Sequence, residues 1–458
     1  MILEEAERTR LGGDIVGLLD ALPARRVWPL VIIVSLGGFF EFYDLMMTGY
    51  LSPGLVTAGV FHIGKAGLFG LDDQASFAAA TFLGLWIGTL GFARIADRFG
   101  RRAIFTFSLL WYSAASLAMA AASQASAICA ARFLAGIGIG VELVTIDAYI
   151  SEFVPPGVRG KAFAVNQAIQ FLAVPAVALA CFLLVPTHPF GLAGWRLVPI
   201  LGASAALFVW PIRARLPESP RWLASRGRTA EALGVLARLG AGEPRPPHTR
   251  TGVVANATER QNPFAPPWRR RTIVLSVFNL AQAVGFYGFT NWAPSLIAAQ
   301  GHGIQRSLGY AAAIALAYPV SPLLCSFFTE RFERKHQIVL AAVAAALFGL
   351  IFSRQSAALA IIALGLAMTF AVNWLSFAFH AYQAECFPTV MRARAVGFVY
   401  SWSRISTVGS SFAIVWLLRS AGSGAVFAFI AAAMAVVVVS IGVFGPATRG
   451  RSLEAISG

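Results

Sequence analysis

The sequence predicts an all-α integral membrane protein, with twelve transmembrane helices in two pseudo-symmetric six-helix bundles. Three observations lead there. Hydrophobic residues make up 57% of the 458 and charged residues only 12%, with a mean hydropathy of +0.70, whereas a soluble domain carries about 25% charge. Apolar runs long enough to cross roughly 30 Å of hydrocarbon recur along the whole chain. Polar motifs between those runs repeat at one fixed offset. The same composition excludes a disordered, collagenous or coiled-coil chain.

Six apolar runs lie before residue 214, at about 28–52, 75–96, 103–123, 126–151, 162–185 and 197–213. Six more follow residue 271, at about 272–299, 307–328, 337–353, 357–385, 394–418 and 422–445. The chain is therefore expected to divide into an N-terminal segment (1–27), a first bundle (28–213), a linker (214–271), a second bundle (272–445) and a tail (446–458). The linker contains eight prolines, among them Pro217, Pro220, Pro263 and Pro266, and one short helical stretch at Thr229–Leu239. Residues 1–27 are polar and amphipathic, and the first apolar run is too long for a signal-peptide core, so no cleaved leader is expected.

Charge placement gives the topology. Of 36 Lys and Arg, 29 lie in the N-terminal segment, the loops after spans two, four, six, eight and ten, and the tail. The positive-inside rule then puts both termini and the linker in the cytoplasm. That bias accounts for the net charge of +15 without a nucleic-acid partner. Cys129, Cys181, Cys325 and Cys386 sit in or at the ends of apolar runs with no metal spacing, and read as small packing residues. No metal, cofactor or phosphate-binding loop is expected, so ATP is not the energy source.

The two halves repeat. Asp97-Arg98-Phe99-Gly100-Arg101-Arg102 follows span two, and Glu330-Arg331-Phe332-Glu333-Arg334-Lys335 follows span eight. Glu152, Pro155 and Arg159 close span four, and Glu385, Pro388 and Arg392 close span ten with the same spacing. Both pairs of motifs are 233 residues apart. A parallel duplication of six spans, with a site between the copies, is the pattern of secondary transporters.

At these residues the chain resembles the major facilitator superfamily. The run from Ala93 to Arg102 is similar to its loop 2–3 motif, with Ala93 where Gly is usual. The run Pro217–Leu223 is similar to the sugar-porter element after span six, and Pro446–Leu453 to its counterpart after span twelve, with Ala447 where Glu is usual. Within the superfamily, Glu41-Phe-Tyr-Asp44-Leu and the segment from Arg394 through Arg404 resemble bacterial inner-membrane metabolite and organic-acid proton symporters. The resemblance implies alternating access, a bacterial cytoplasmic-membrane location and a monomer. It also implies that Asp97, Arg98, Arg101, Arg102, Asp147, Glu152, Arg159, Glu330, Arg334, Glu385 and Arg392 form a cytoplasmic gate of charge-assisted pairs, or serve only as topology-setting charges.

Ionisable groups inside a bilayer cost at least ~2.5–3.5 kcal/mol each and so need a reason. Glu41 and Asp44 are three residues apart, on one helical face near mid-span. In low dielectric they disfavour each other's charge, so one is expected to hold a proton, as coupling requires; satisfaction by backbone or a neighbouring Tyr is the alternative. Glu142 follows the small-residue stripe Gly136, Gly138, Gly140 and is expected to face the pocket. Arg132 is expected near a span end, where it can snorkel or pair. Arg404, deep in span eleven, needs an anion: an internal carboxylate, or a substrate carboxylate gripped bidentately. Gln282, Tyr287 and Asn291 in span seven, Gln167 and Gln170 in span five, and Trp374 in span ten are lining candidates, each equally able to serve packing; Asn373 and His380 join them. The expectation is proton-coupled uptake of a small organic anion, such as an aromatic acid. A neutral-sugar porter is the runner-up, and a membrane sensor the alternative of another class.

Overall fold

The computed structural model describes residues 15, 17–19, 22–62, 71–213, 216–240, 263–266, 268–329, 332–387 and 391–448. Among these residues every regular element is a helix. Among the described residues nine helices are long and apolar enough to cross a membrane. The longest, Arg394–Phe444, contains two spans, divided where Gly422 takes a φ of 78°, a left-handed conformation that glycine adopts without steric cost. Span two is Asp73–Phe99 and span six is Leu197–Arg213. These complete the twelve spans.

Several spans are interrupted. Span five is divided between Pro156–Phe171 and Ala173–Leu184. Span seven runs as Trp268–Thr290 and resumes as Ala293–Ala299, with Pro294 at the restart. Span eight divides between Ile304–Ala315 and Ala317–Thr329. Proline cannot donate to the ladder and crowds the preceding turn, so breaks near Pro175, Pro294 and Pro319 are where the chain bends most readily.

Spans two and four pack backbone to backbone. A Cβ on Gly84 would overlap the Phe133 carbonyl, and one on Gly88 the Ile137 carbonyl. From the other side, Gly136 meets the Thr81 carbonyl and Gly140 the Leu85 carbonyl. Thr89 Oγ1 donates to Leu85 O at 2.8 Å and lies 3.2 Å from Gly140 O. Small residues on both faces allow this approach, which dispersion and close packing stabilise where no hydrophobic drive exists between helices in lipid.

The face carrying the arginine-rich loops is termed here the basic face. On the opposite face the halves touch at several places. Gly49 of span one lies against the Asn291 backbone of span seven, and Phe182 of span five against Gly309 of span eight. Asp72, just before span two, forms an ion pair with Arg419 of span eleven. Deeper in, Phe82 packs on Tyr287 at 4.6 Å and Phe171 on Tyr318 at 5.8 Å, both across the halves.

Replacing Gly140 by Leu is expected to lower the thermal unfolding midpoint in detergent by several degrees, since overpacking costs about 1–3 kcal/mol even where side chains can yield. Gly160→Ala, at a helical position with open space around it, is the control and should leave the midpoint unchanged or slightly raised, since alanine is the better helix former.

Candidate functional site

Among the described residues two arginines are buried inside the bundles, and their surroundings differ. Arg132, fully buried, lies well inside the helix Ala125–Phe153. Its Nη1 donates to Asp44 Oδ2 at 2.7 Å. Its Nη2 donates to Asp44 O and to Thr48 Oγ1, each at 2.8 Å, and its Nε reaches Thr81 Oγ1 at 3.3 Å. Ser116 Oγ donates to the remaining Asp44 oxygen at 2.5 Å. Asp44 and Thr48 stand one turn apart on span one, so one guanidinium spans both.

Of the two outcomes expected of Arg132, snorkelling or pairing, the structure shows pairing, and the partner is the Asp44 carboxylate of span one. Distance from a span end does not tell which helix crosses there, so the sequence named Arg132 but not Asp44 as its partner. Glu41, also buried at 1% exposure, lies one turn from Gly38, which is covered by the Gln170 side chain.

Glu142 is fully buried and accepts a hydrogen bond from Ser108 Oγ of span three at 3.2 Å. It thus meets span three within the first bundle.

The second buried arginine, Arg404, is 7% exposed. Its Nη1 donates to Tyr287 Oη at 2.6 Å and its Nη2 lies 3.4 Å from Tyr400 Oη. The Tyr400 ring stands 4.9 Å from its Cζ, a cation–π distance. Arg404 makes no ion pair among the described residues. Tyr400 precedes Arg404 by four positions, which makes it a neighbour on the same helical face. Beyond Tyr400 lies the ring of His380, 5.4 Å away. Tyr287 packs on Phe82 of the first bundle, so this group of side chains sits where the halves meet.

The remaining candidates divide. Gln282 is buried, and its carboxamide has no hydrogen bond among the described residues; the same holds for half-buried Gln167. Asn291 Oδ1 is buried without a partner at the break in span seven. Gln170 donates to Asn166 at 3.3 Å. Trp374 is drawn away: its Nε1 donates to Gln337 Oε1 of span nine at 3.1 Å, within the second bundle.

At the basic face the duplication is visible contact by contact. Arg159 donates to Val154 O from Nε at 3.2 Å, and Arg392 donates to Phe387 O at 3.2 Å. Tyr149 Oη donates to Pro217 O at 2.9 Å, and Tyr382 Oη to Pro446 O at 2.8 Å. Arg334 pairs with Glu385 at 2.6 Å. In the first half, Glu218 accepts from the Arg102 amide at 3.3 Å, which opens span three; Gly100, with a φ of 94°, leaves room for that carboxylate. In the second half Ala447 stands opposite Glu218, and Glu333 occupies the place of Gly100. There Glu333 accepts from the Thr448 amide at 3.0 Å. The acid has changed sides of the contact. Each of these contacts joins residues of one half. The side chains of Asp97, Arg98, Arg101 and Asp147, and Glu330 altogether, lie outside the described residues.

A family model for sugar (and other) transporters matches residues 30–458. The chain belongs to that family, within the major facilitator superfamily. It is 30% identical to a putative metabolite transport protein, YyaJ, of Bacillus subtilis, over 95% of this chain and 96% of that one. It is 25% identical to the niacin transporter NiaP of Acinetobacter baylyi, over 97% and 99%. A partially occluded inward-open structure of the xylose transporter XylE from E. coli superposes with a TM-score of 0.76 at 19% identity, over 93% of this chain and 100% of that one, which establishes likeness of fold. The chain is a membrane-embedded secondary transporter and not an enzyme.

Removing one member of a buried ion pair leaves an uncompensated charge and costs about 3–5 kcal/mol. Asp44→Asn is therefore expected to lower the unfolding midpoint sharply. The double variant Asp44→Leu with Arg132→Met should recover most of that loss, as measured by thermal unfolding in detergent.

Proposed function

We propose that this transporter carries a small organic anion, of the aromatic or other carboxylic-acid class, together with protons. The observation that supports this reading is Arg404: a buried guanidinium held by two tyrosine hydroxyls, with no carboxylate paired to it among the described residues. A buried cation without a counter-charge is costly, and a substrate carboxylate supplies one with two parallel hydrogen bonds. The niacin transporter among the relatives carries, by its name, a ring carboxylic acid or its close kin. A neutral sugar, favoured by the likeness to a xylose transporter, would make no use of the charge on Arg404.

Proton coupling is assigned to Asp44. A proton on this carboxylate removes the charge that holds Arg132, frees Thr48 and Thr81 to re-pair, and loosens span four from span one. Glu41, one turn away, is the second acid of that region, and Glu142 ties spans three and four. Substrate at Arg404 in one half and the proton at Asp44 in the other would then meet across the Phe82–Tyr287 contact.

In this reading the basic face is cytoplasmic, the membrane is a bacterial cytoplasmic membrane, and the transporter works as a monomer. The gate charges Arg102, Glu152, Arg159, Arg334, Glu385 and Arg392 keep each bundle rigid at its cytoplasmic rim. The Asp72–Arg419 pair and the Gly49–Asn291 contact close the outside, and both must open for substrate to enter. Gln282, Gln167 and Asn291, with open polar groups, line the path.

Uptake into proteoliposomes tests the reading. Labelled benzoate should accumulate when the outside is acidified, and unlabelled carboxylates but not xylose should compete. Arg404→Lys keeps the charge but loses the fork, and is expected to weaken carboxylate affinity about tenfold or more. Unchanged affinity in that variant, or competition by xylose alone, overturns the anion reading. Asp44→Asn should retain exchange of label across the membrane while losing accumulation driven by the pH gradient; retained accumulation removes the proton from Asp44.

A further inference from the structure

We infer that His380 is a specificity residue that selects, among ring carboxylic acids, those carrying a hydroxyl or N–H donor; the inference rests on the anion reading of Arg404 above. His380 lies near the basic-face end of the helix Ala358–Glu385. Its Nδ1 is 2.7 Å from the Ser376 carbonyl. A carbonyl oxygen can only accept, so Nδ1 carries the hydrogen, and in the neutral ring Nε2 is left as an acceptor.

Nothing among the described residues uses that acceptor. The ring is exposed. One face stacks on Phe379 at 4.2 Å, and the Tyr400 ring meets it edge-on at 5.4 Å. The same Tyr400 ring stands 4.9 Å from the Arg404 guanidinium, which in turn holds Tyr287 against the first bundle. The imidazole thus shares the Tyr400 ring with the arginine, at the junction of the halves.

A carboxylate bound at Arg404 places the rest of a rigid ring along Tyr400 and within reach of Nε2. A donor on that ring is matched there. A bare C–H leaves Nε2 without a partner, and a pyridine nitrogen sets acceptor against acceptor. Sites built to hydrogen-bond a substrate group reject the analogue lacking it more strongly than apolar pockets reject a missing methylene. The chemistry therefore separates this chain's substrate from pyridine carboxylates such as nicotinate, despite the relationship to a niacin transporter.

The experiment is equilibrium binding at pH 7.5 to the purified full chain, with benzoate, 3- and 4-hydroxybenzoate, 4-methoxybenzoate and nicotinate as probes. At least one hydroxybenzoate is expected to bind about tenfold more tightly than benzoate or nicotinate. Methylation of its hydroxyl should abolish the advantage. His380→Phe keeps a stacking ring and removes the acceptor, so the hydroxybenzoate-to-benzoate ratio should fall to within about twofold. His380→Gln, whose carboxamide oxygen accepts, should retain part of the ratio and serves should the Phe variant fail to fold. Arg404→Lys should weaken all the acids together and leave the ratio in place. Equal binding of hydroxylated and unsubstituted acids, tighter binding of nicotinate, or a ratio unmoved in His380→Phe overturns the assignment while leaving the anion site standing. Failure of every acid to bind overturns the anion site itself, and this inference with it.

Discussion

A guanidinium taken out of water must find negative charge or strong acceptors, and the architecture of this transporter is organised around two of them. In the first half Arg132 has a carboxylate, a backbone carbonyl and two threonine hydroxyls, so its donors are met from spans one and two. In the second half Arg404 has two phenols and a cation–π contact. The duplicated halves differ in how they hold charge inside the membrane: one arginine pairs with a carboxylate, and the other, among the described residues, with two phenols.

Around these sites the helices solve a packing problem. Glycines on spans two and four let backbones touch, which locks the first bundle as a unit. Stitches from Tyr149 to Pro217 and from Tyr382 to Pro446 bind each bundle's rim to the segment that follows it. Rigid halves joined by breakable contacts, such as Asp72–Arg419, suit rocking about a central site.

Much of this was legible in the sequence, for physical reasons. Hydrocarbon thickness fixes span length, so the span pattern follows from apolar runs. The 233-residue offset, read from Glu152 and Glu385, reappears in the paired contacts of Arg159 and Arg392. The depth of Arg404 was plain from its place in span eleven. What could not be read was pairing between helices. Arg132 looked able to reach a headgroup because its nearness to a span start is visible and its crossing with Asp44 is not. Glu142 and Trp374 illustrate the same limit, since a polar group in a span is equally well directed at a neighbouring helix, as Ser108 and Gln337 show.

The crossed acids at the basic rim carry a consequence for the ancestry of the two copies. Glu218 reaches back to the amide of Arg102, whereas Glu333 reaches forward to that of Thr448. Each half joins these two segments by a carboxylate-to-amide hydrogen bond, but donor and acceptor segments are exchanged, so the copies are no longer interchangeable parts. A chain rebuilt from two first halves would keep the acid beside Gly100 twice over. One that spliced the Glu333 loop to the Glu218 segment would set two carboxylates face to face, and one that joined Gly100 to Ala447 would leave the amide bare.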